Sequence, residues 1–219
     1  MFAFFHECAH GLGSRLEGHR VSTGFDKIGD SGKRPSDHDF RLNSTVQGRW
    51  NLSDFLGPLV NWIFALIFML IFLKQDTGNH SKLLFGAVAI INALIRLFPM
   101  LMFFASALQG RFALEDEATL GLSAIEGMKY PMLYPYFKSL ASAQPKLLLT
   151  EPRIYFWPFV SLAISLACFL LTYRQLNKLS WQITASRFIH SIFILLPFLI
   201  WPPASIVVRI LDNLIRLNW

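Results

Sequence analysis

The sequence is poor in cysteine and in charged residues, and both shortages argue against particular classes of protein. Only two cysteines, Cys8 and Cys168, occur in 219 residues, and they lie in separate apolar stretches. This excludes a disulfide-based scaffold and gives no cysteine-based metal site. Charged residues make up 16% of the chain, whereas soluble domains carry about 25%. No internal repeat, low-complexity tract or nucleic-acid-binding motif is visible, so the net charge of +6 does not indicate a nucleic-acid partner.

Long apolar runs are what the sequence has in excess. Apolar residues make up 53% of the chain, and phenylalanine alone occurs 21 times. A helix needs about 20 apolar residues to cross about 30 Å of hydrocarbon. The runs that meet this requirement are residues 56–73, 83–108, 154–173 and 188–208. Residues 1–16 form a fifth, marginal candidate of about 24 Å. Residues 1–5 are too few for the apolar region of a cleavable signal peptide and include no basic residue, so we expect no such peptide.

The pattern predicts an all-α integral membrane protein that forms one domain over residues 1–219, with about five transmembrane helices. Two polar regions interrupt the helices. The first, residues 17–54, is β-prone, because alternation at 19–25 and at 40–50 predicts short strands. The second, residues 110–153, has an amphipathic middle, which predicts an interfacial loop.

Basic residues are distributed unequally between the two sides of this arrangement. Five spans would place residues 17–54, residues 110–153 and the C-terminus on one side. That side, with Arg15 included, carries 14 lysine and arginine residues, and the other side carries 5. The positive-inside rule therefore predicts a cytoplasmic C-terminus in the cell membrane. Arg96 lies within a span, where we expect it to be a structural partner of an acid or to reach an interface.

The segment FFHECAHGLGS contains an H-E-x-x-H motif formed by His6, Glu7 and His10. Residues four apart lie on one helix face, so both imidazoles can bind one zinc ion. Glu7 then lies beside the metal as the catalytic base. Histidine and glutamate are costly within an apolar segment and are functional by default. The alternative is a helix end whose polar residues face water. A third ligand has to come from elsewhere, because Leu16 stands where the extended metzincin motif needs histidine.

Two motifs in order resemble the site-two protease family of intramembrane zinc metalloproteases. HECAH lies in an apolar helix, and Gly57-Pro58-Leu59-Val60-Asn61 opens the next span. That family pairs an H-E-x-x-H helix with a G-P-x-x-N helix across a polar, partly β-structured segment. The resemblance covers residues 1–117. It implies that Asn61 and Asn92 bind substrate and that an aspartate associated with a third helix completes the zinc site.

The third motif of that family is divergent here. Asn92 stands within the third span, but no Asp-Gly follows it. The nearest acids are Glu115, Asp116 and Glu117, which point about 100° apart on a helix, so that one of them would face a metal. The resemblance implies Asp116 as the third ligand, provided that the chain turns back at residues 109–111. The alternative is a solvated helix boundary.

These observations predict a zinc-dependent endopeptidase that hydrolyses peptide bonds of membrane-embedded substrates. Its expected partners are the lipid bilayer and a membrane-embedded protein or peptide, and no nucleic acid. The β-prone segment is expected to pair with an unwound substrate strand. Two alternatives stay open. One is a membrane metallohydrolase that acts on a lipid or small molecule, and the other is a membrane scaffold without catalysis.

Overall fold

The structure is a computed structural model. It describes residues 2–18, 20–24, 28–30, 51–74, 79–113, 115–123, 145–183, 206–207, 210–211 and 217–219. The helices are α1 (Phe2–Leu16), α2 (Asn51–Lys74), α3 (Asn79–Leu108), α4 (Asp116–Ser123), α5 (Pro145–Leu149), a 3-10 turn (Pro152–Tyr155) and α6 (Phe156–Ile183). The strands are β1 (Val21–Thr23), β2 (Ile28–Asp30) and β3 (Leu217–Asn218). Within these ranges the fold is mostly helical, as predicted.

Three helical stretches in the described part of the chain are long and apolar enough to cross a membrane. They are Leu52–Lys74, Ser81–Leu108 and Pro152–Leu179, and they contain the predicted spans 56–73, 83–108 and 154–173. The chain therefore has the character of an integral membrane protein. The predicted helix 1–16 is present as α1, which has 15 residues. Residues 188–208 lie almost entirely outside the described residues, so the number of five spans stays a prediction.

The three long helices pack as an antiparallel bundle. Phe68 of α2 stacks on Phe85 of α3 at 6.1 Å, and Phe104 of α3 meets Phe159 of α6 at 6.3 Å. Small residues allow close approach between membrane helices, and the buried contact contains Ala65, Ala89, Ala93 and Cys168. The outward faces are apolar, since Leu70, Leu101 and Phe159 are exposed. Lipid would cover these faces without leaving any polar group unsatisfied.

Helix α1 packs antiparallel along the first half of α2. The Ser14 hydroxyl donates to the Ser53 hydroxyl at 2.9 Å. Glu17 Oε1 accepts the Leu52 N–H at 2.8 Å, which satisfies one of the free N–H groups at the start of α2. A Cβ on Gly13 would lie 2.6 Å from Ser53 Cα, so glycine permits this close approach. These contacts fix the register of the motif helix against α2.

A three-stranded antiparallel sheet follows α1, with β1 between β2 and β3. Strand β1 lies within the predicted strand at 19–25. The strand predicted at 40–50 lies outside the described residues. Strands β2 and β3 are not predicted from the sequence, because strands of two or three residues are too short to show an alternating pattern.

The chain turns back at the end of α3. Gly110 has φ +70°, a left-handed conformation that glycine adopts without strain. The Arg111 N–H donates to Ser106 O at 2.9 Å and so caps the helix. The chain then re-enters the bundle as α4, and a Cβ on Gly121 would lie 2.7 Å from Arg153 O. Residues 116–123 of the predicted interfacial loop are therefore a packed helix, whose Ala118 belongs to the core.

Candidate metal centre

His6, His10 and Asp116 meet where α1, α2 and α4 come together. The two Nε2 atoms of the histidines lie 3.0 Å apart. Asp116 Oδ2 lies 3.3 Å from His6 Nε2 and 3.5 Å from His10 Nε2. One ligand atom from each residue thus points into a common space, and together the three residues form a group that can hold a metal ion.

The separations of these three atoms fit a small divalent cation. Zinc binds imidazole nitrogen at about 2.0–2.1 Å and carboxylate oxygen at about 2.0–2.2 Å. Two such atoms at a tetrahedral angle lie about 3.3 Å apart, from the same bond lengths. The observed separations of 3.0, 3.3 and 3.5 Å lie around that value. Two imidazoles and one carboxylate would supply three ligands to such an ion, the number that the protein supplies in catalytic zinc sites.

Helix α2 orients the His10 ring. His10 Nδ1 lies 2.7 Å from Ser53 O, which can only accept, so Nδ1 carries the proton. The lone pair of His10 is then on Nε2, which faces Asp116, as metal-binding histidines require. Gly57 makes room for this ring, because a Cβ there would overlap its Nε2 and Cε1 atoms. The glycine of the GPLVN segment therefore has a steric function at the site.

Asn61 holds the other imidazole. Its amide nitrogen lies 2.9 Å from His6 Nδ1, and its Oδ1 is buried without a hydrogen-bond partner. The oxygen and nitrogen of an amide are assigned from hydrogen bonds, and exchanging them lets Oδ1 accept from His6 Nδ1–H. This arrangement again leaves the Nε2 lone pair free for a metal. Asn61 is thus beside the site, and its substrate-binding role stays a prediction.

Asp116 also contacts a buried ion pair. Arg96 Nη1 lies 3.2 Å from Asp116 Oδ2. Arg96 Nε donates to Glu117 Oε1 at 2.9 Å, and its Nη2 contacts Glu117 Oε2. Ser161 donates to Glu117 Oε1 at 2.7 Å, and Trp62 Nε1 donates to Ser161 at 3.1 Å. The network therefore ties α2, α3, α4 and α6 to the position of Asp116.

Of the three adjacent acids, Asp116 alone contacts the imidazoles. Glu117 is fully buried against Arg96. Glu115 is half-buried, and burial together with the neighbouring Asp116 carboxylate raises its pKa to about 7. Burial acts to raise the pKa of Asp116 as well, but His10, His6 and Arg96 outweigh it and hold that pKa well below its usual range. Asp116 is therefore an ionised carboxylate beside the two imidazoles.

Asp116 is the most exposed of the three ligands. Its side chain is 33% exposed, whereas the side chains of His6 and His10 are 9% and 8% exposed. Glu7, the predicted base, is half-buried on α1 next to His6. The group is therefore accessible from the side of Asp116.

The structure does not bring Asn92 into this group. Asn92 is fully buried, and its amide nitrogen donates to Val88 O at 2.9 Å, within α3. No described contact joins it to His6, His10 or Asp116, so its substrate-binding role stays a prediction. Sequence reasoning named Glu117 only as a candidate ligand and did not identify it as the partner of Arg96, and it did not identify Ser161. Arg96 was the signal that could have identified Glu117 as its partner, because a cation within a span needs a buried acidic partner.

Comparisons with known proteins assign this geometry to no family. No protein-family model matches the chain, and neither a curated protein nor a solved structure matches it. The function therefore has to come from the chemistry of the site.

Proposed function

We propose that this protein is a zinc-dependent intramembrane endopeptidase that hydrolyses peptide bonds of membrane-embedded substrates. One observation carries the proposal: two imidazole Nε2 atoms and a carboxylate oxygen lie within 3.5 Å of one another beside apolar membrane helices. Glu7 follows the first of these ligands directly in the H-E-x-x-H motif. The resemblance to the site-two protease family, drawn from HECAH and GPLVN, supports the same reading.

The depth of the centre supports hydrolysis within the membrane. Asn61 lies nine residues after Leu52, where the first candidate span begins, which is about 14 Å along the helix axis. Arg96 lies twelve residues before Leu108, where the second candidate span ends, which is about 18 Å. Both lengths are near half of the roughly 30 Å hydrocarbon core. The side chains around the metal centre are therefore within reach of a peptide bond inside the bilayer.

Each residue of the site has one task in this mechanism. His6, His10 and Asp116 would hold zinc, which when bound acts as a Lewis acid and lowers the pKa of water. Glu7 takes a proton from the attacking water and then gives it to the leaving amine. The two imidazoles keep their orientation through Ser53 and Asn61, as partners behind metal ligands do.

The proposal is tested with the purified protein in liposomes that contain a mixture of synthetic transmembrane peptides. We expect mass spectrometry to find fragments cut within the apolar part of a peptide. A zinc chelator should remove this cleavage, and added zinc should restore it. Lipid or small-molecule products without peptide fragments would replace the proposal by a metallohydrolase of another class. Metal binding without any product would favour a scaffold.

We also propose that residues 17–54 and 217–219 face the cytoplasm. Strand β1 pairs with β3, so residues 21–23 and 217–218 share one side. Helix α6 begins beside α4, and its Leu176 lies near Gly86 at the start of α3, at the other end of the bundle. The chain has to return between 183 and 217, which supports a further span at 188–208. The excess of basic residues then assigns this side to the cytoplasm.

Topology is tested with accessibility tags in cells. A tag at residue 35 and a tag after Trp219 should both report the cytoplasm. A tag at Gly78 should report the outer side, because it lies between two candidate spans. Finding residue 35 outside would invert the orientation. Finding residues 35 and 219 on different sides would contradict the pairing of β1 with β3.

A further inference from the structure

The outer edge of β1 is covered by a short segment that is distant in sequence, Leu217–Trp219. In the antiparallel register Ser22 pairs with Asn218, and Thr23 pairs with Leu217. The Trp219 N–H extends the ladder by donating to Val21 O at 2.9 Å. Main-chain hydrogen bonds of this kind accept any extended peptide, so the edge is suited to a strand irrespective of most of its sequence.

An aromatic slot lies at the end of this edge. The Trp219 indole N–H donates to Thr23 Oγ1 at 2.7 Å. A Cβ on Gly11 would lie 2.5 Å from that indole nitrogen and 2.6 Å from Thr23 Cγ2. The ring therefore fits between Gly11 and Thr23 only because residue 11 has no side chain. The slot thus selects a flat aromatic group that carries a hydrogen-bond donor.

The slot is close to the proposed chemistry. Gly11 follows His10 directly, and it lies four residues after Glu7. Residues four apart share a helix face, so Trp219 covers the face of α1 from which the proposed base projects. A peptide on this edge would therefore pass within about four residues, or about 6 Å of axial rise, of that base.

Within the described residues, the segment is more exposed than the strand that it covers. Val21, Ser22 and Thr23 are buried, whereas Leu217 is 42% exposed and Asn218 is also exposed. Strand β3 has only two residues. Segments with few buried contacts open at low free-energy cost. The inner strand is thus fixed in the fold, and the outer one is the part that can leave.

We propose that the β1 edge, with the slot between Gly11 and Thr23, is the surface that binds an extended peptide bearing an aromatic residue. Leu217–Trp219 is its internal occupant, and the incoming strand displaces it. The identification of that peptide as substrate rests on the proposed endopeptidase function. The binding surface itself does not depend on catalysis.

A reversible disulfide tests the displacement. Paired Cα atoms of antiparallel strands lie about 4.5–5.5 Å apart, which a disulfide spans. Ser22→Cys and Asn218→Cys are introduced into a chain in which Cys8 and Cys168 are replaced by alanine. The probe is a fluorescein-labelled peptide LIRLNW, the sequence of residues 214–219, and binding is measured by anisotropy in detergent. The reduced protein should bind the probe about tenfold or more tightly than the oxidised protein.

Two further variants keep the result independent of the disulfide. Trp219→Ala with native cysteines should bind the probe about tenfold more tightly than the unaltered chain, because the internal occupant is weakened. A probe that ends in alanine, LIRLNA, should bind that variant about tenfold more weakly than LIRLNW. Thermal unfolding checks that each variant is folded. Equal binding by oxidised and reduced protein, or no binding by folded Trp219→Ala, would overturn the inference.

The cleavage assay separates this inference from the proposed function. If both hold, Trp219→Ala should lower KM about tenfold while kcat stays within about twofold. Probe binding without peptide cleavage would remove the endopeptidase and leave the binding edge. Cleavage with an unchanged KM in Trp219→Ala would remove the edge and leave the endopeptidase.

Discussion

Replacing Glu7 with glutamine is expected to reduce peptide cleavage by about 10²–10⁴-fold, the usual contribution of a general base. Glutamine has the size of glutamate but cannot take the proton of the attacking water. Glu7 is not one of the three converging ligands, so zinc should stay bound at the level of the unaltered protein. The measurements are kcat in the liposome assay and zinc content by elemental analysis.

Glu17→Gln is the matched control for this substitution. Glu17 follows α1 and accepts a hydrogen bond from the Leu52 N–H, which a glutamine oxygen also accepts. The activity of Glu17→Gln should stay within about twofold of the unaltered protein, because the change is conservative and Glu17 is not one of the reacting groups. A Glu7→Gln protein that cleaves at the full rate would show that another group is the base. Loss of zinc from the Glu7→Gln protein would indicate that Glu7 is a metal ligand instead.

Asp116→Ala is expected to lower zinc affinity by at least about 100-fold. This is more than the usual effect of removing a residue that only hydrogen-bonds to a metal ligand. Asp116 supplies the carboxylate oxygen at 3.3 and 3.5 Å from the two imidazoles. Without it only two protein ligands remain, whereas catalytic zinc sites use three. Affinity is measured by competition with a coloured chelator. Glu115→Ala is the matched control and should retain zinc, since Glu115 contributes no atom to the group.

Glu117→Ala should lower the stability of the fold rather than remove a zinc ligand. Among the described residues, the loss of Glu117 leaves Asp116 as the acid that is ion-paired with the buried Arg96. Breaking a buried ion pair costs about 3–5 kcal/mol. We therefore expect a large drop in the thermal unfolding temperature, with a milder effect on zinc than Asp116→Ala has. Glu117→Gln should be less harmful, because its oxygen still accepts from Ser161. Loss of zinc in Glu115→Ala, with normal zinc in Asp116→Ala, would show that the wrong acid was assigned.

Local patterns in the sequence were sufficient for α1, α2, α3 and α6 and for two of the three converging ligands. Apolar runs predict α2, α3 and α6, because lipid-facing helices need uninterrupted apolar length. The spacing of His6 and His10 places both rings on one face of α1, since that relation depends only on helical geometry. Asp116 is different. Spacing does not decide which of the three adjacent acids is the third ligand, and only the resemblance to a family selects one of them.

Contacts between distant parts of the chain could not be predicted in this way. The return of α4 depends on the left-handed turn at Gly110, and a glycine alone does not give the direction of the following helix. Strand β3 pairs with β1 across almost the whole chain, and two residues carry no periodic signal. The fully buried Glu117 reads in sequence as a solvated acid, because its partner Arg96 lies on another helix.

The central claim is that His6, His10 and Asp116 form one metal site, and zinc stoichiometry tests it most directly. The same ligand set also occurs in iron(II) enzymes, so zinc and iron are both measured in purified protein by elemental analysis. We expect about one zinc per chain in the unaltered protein, since the three ligands can share one ion. The double variant His6→Ala, His10→Ala should contain almost none. Full retention of zinc by the double variant would contradict the account.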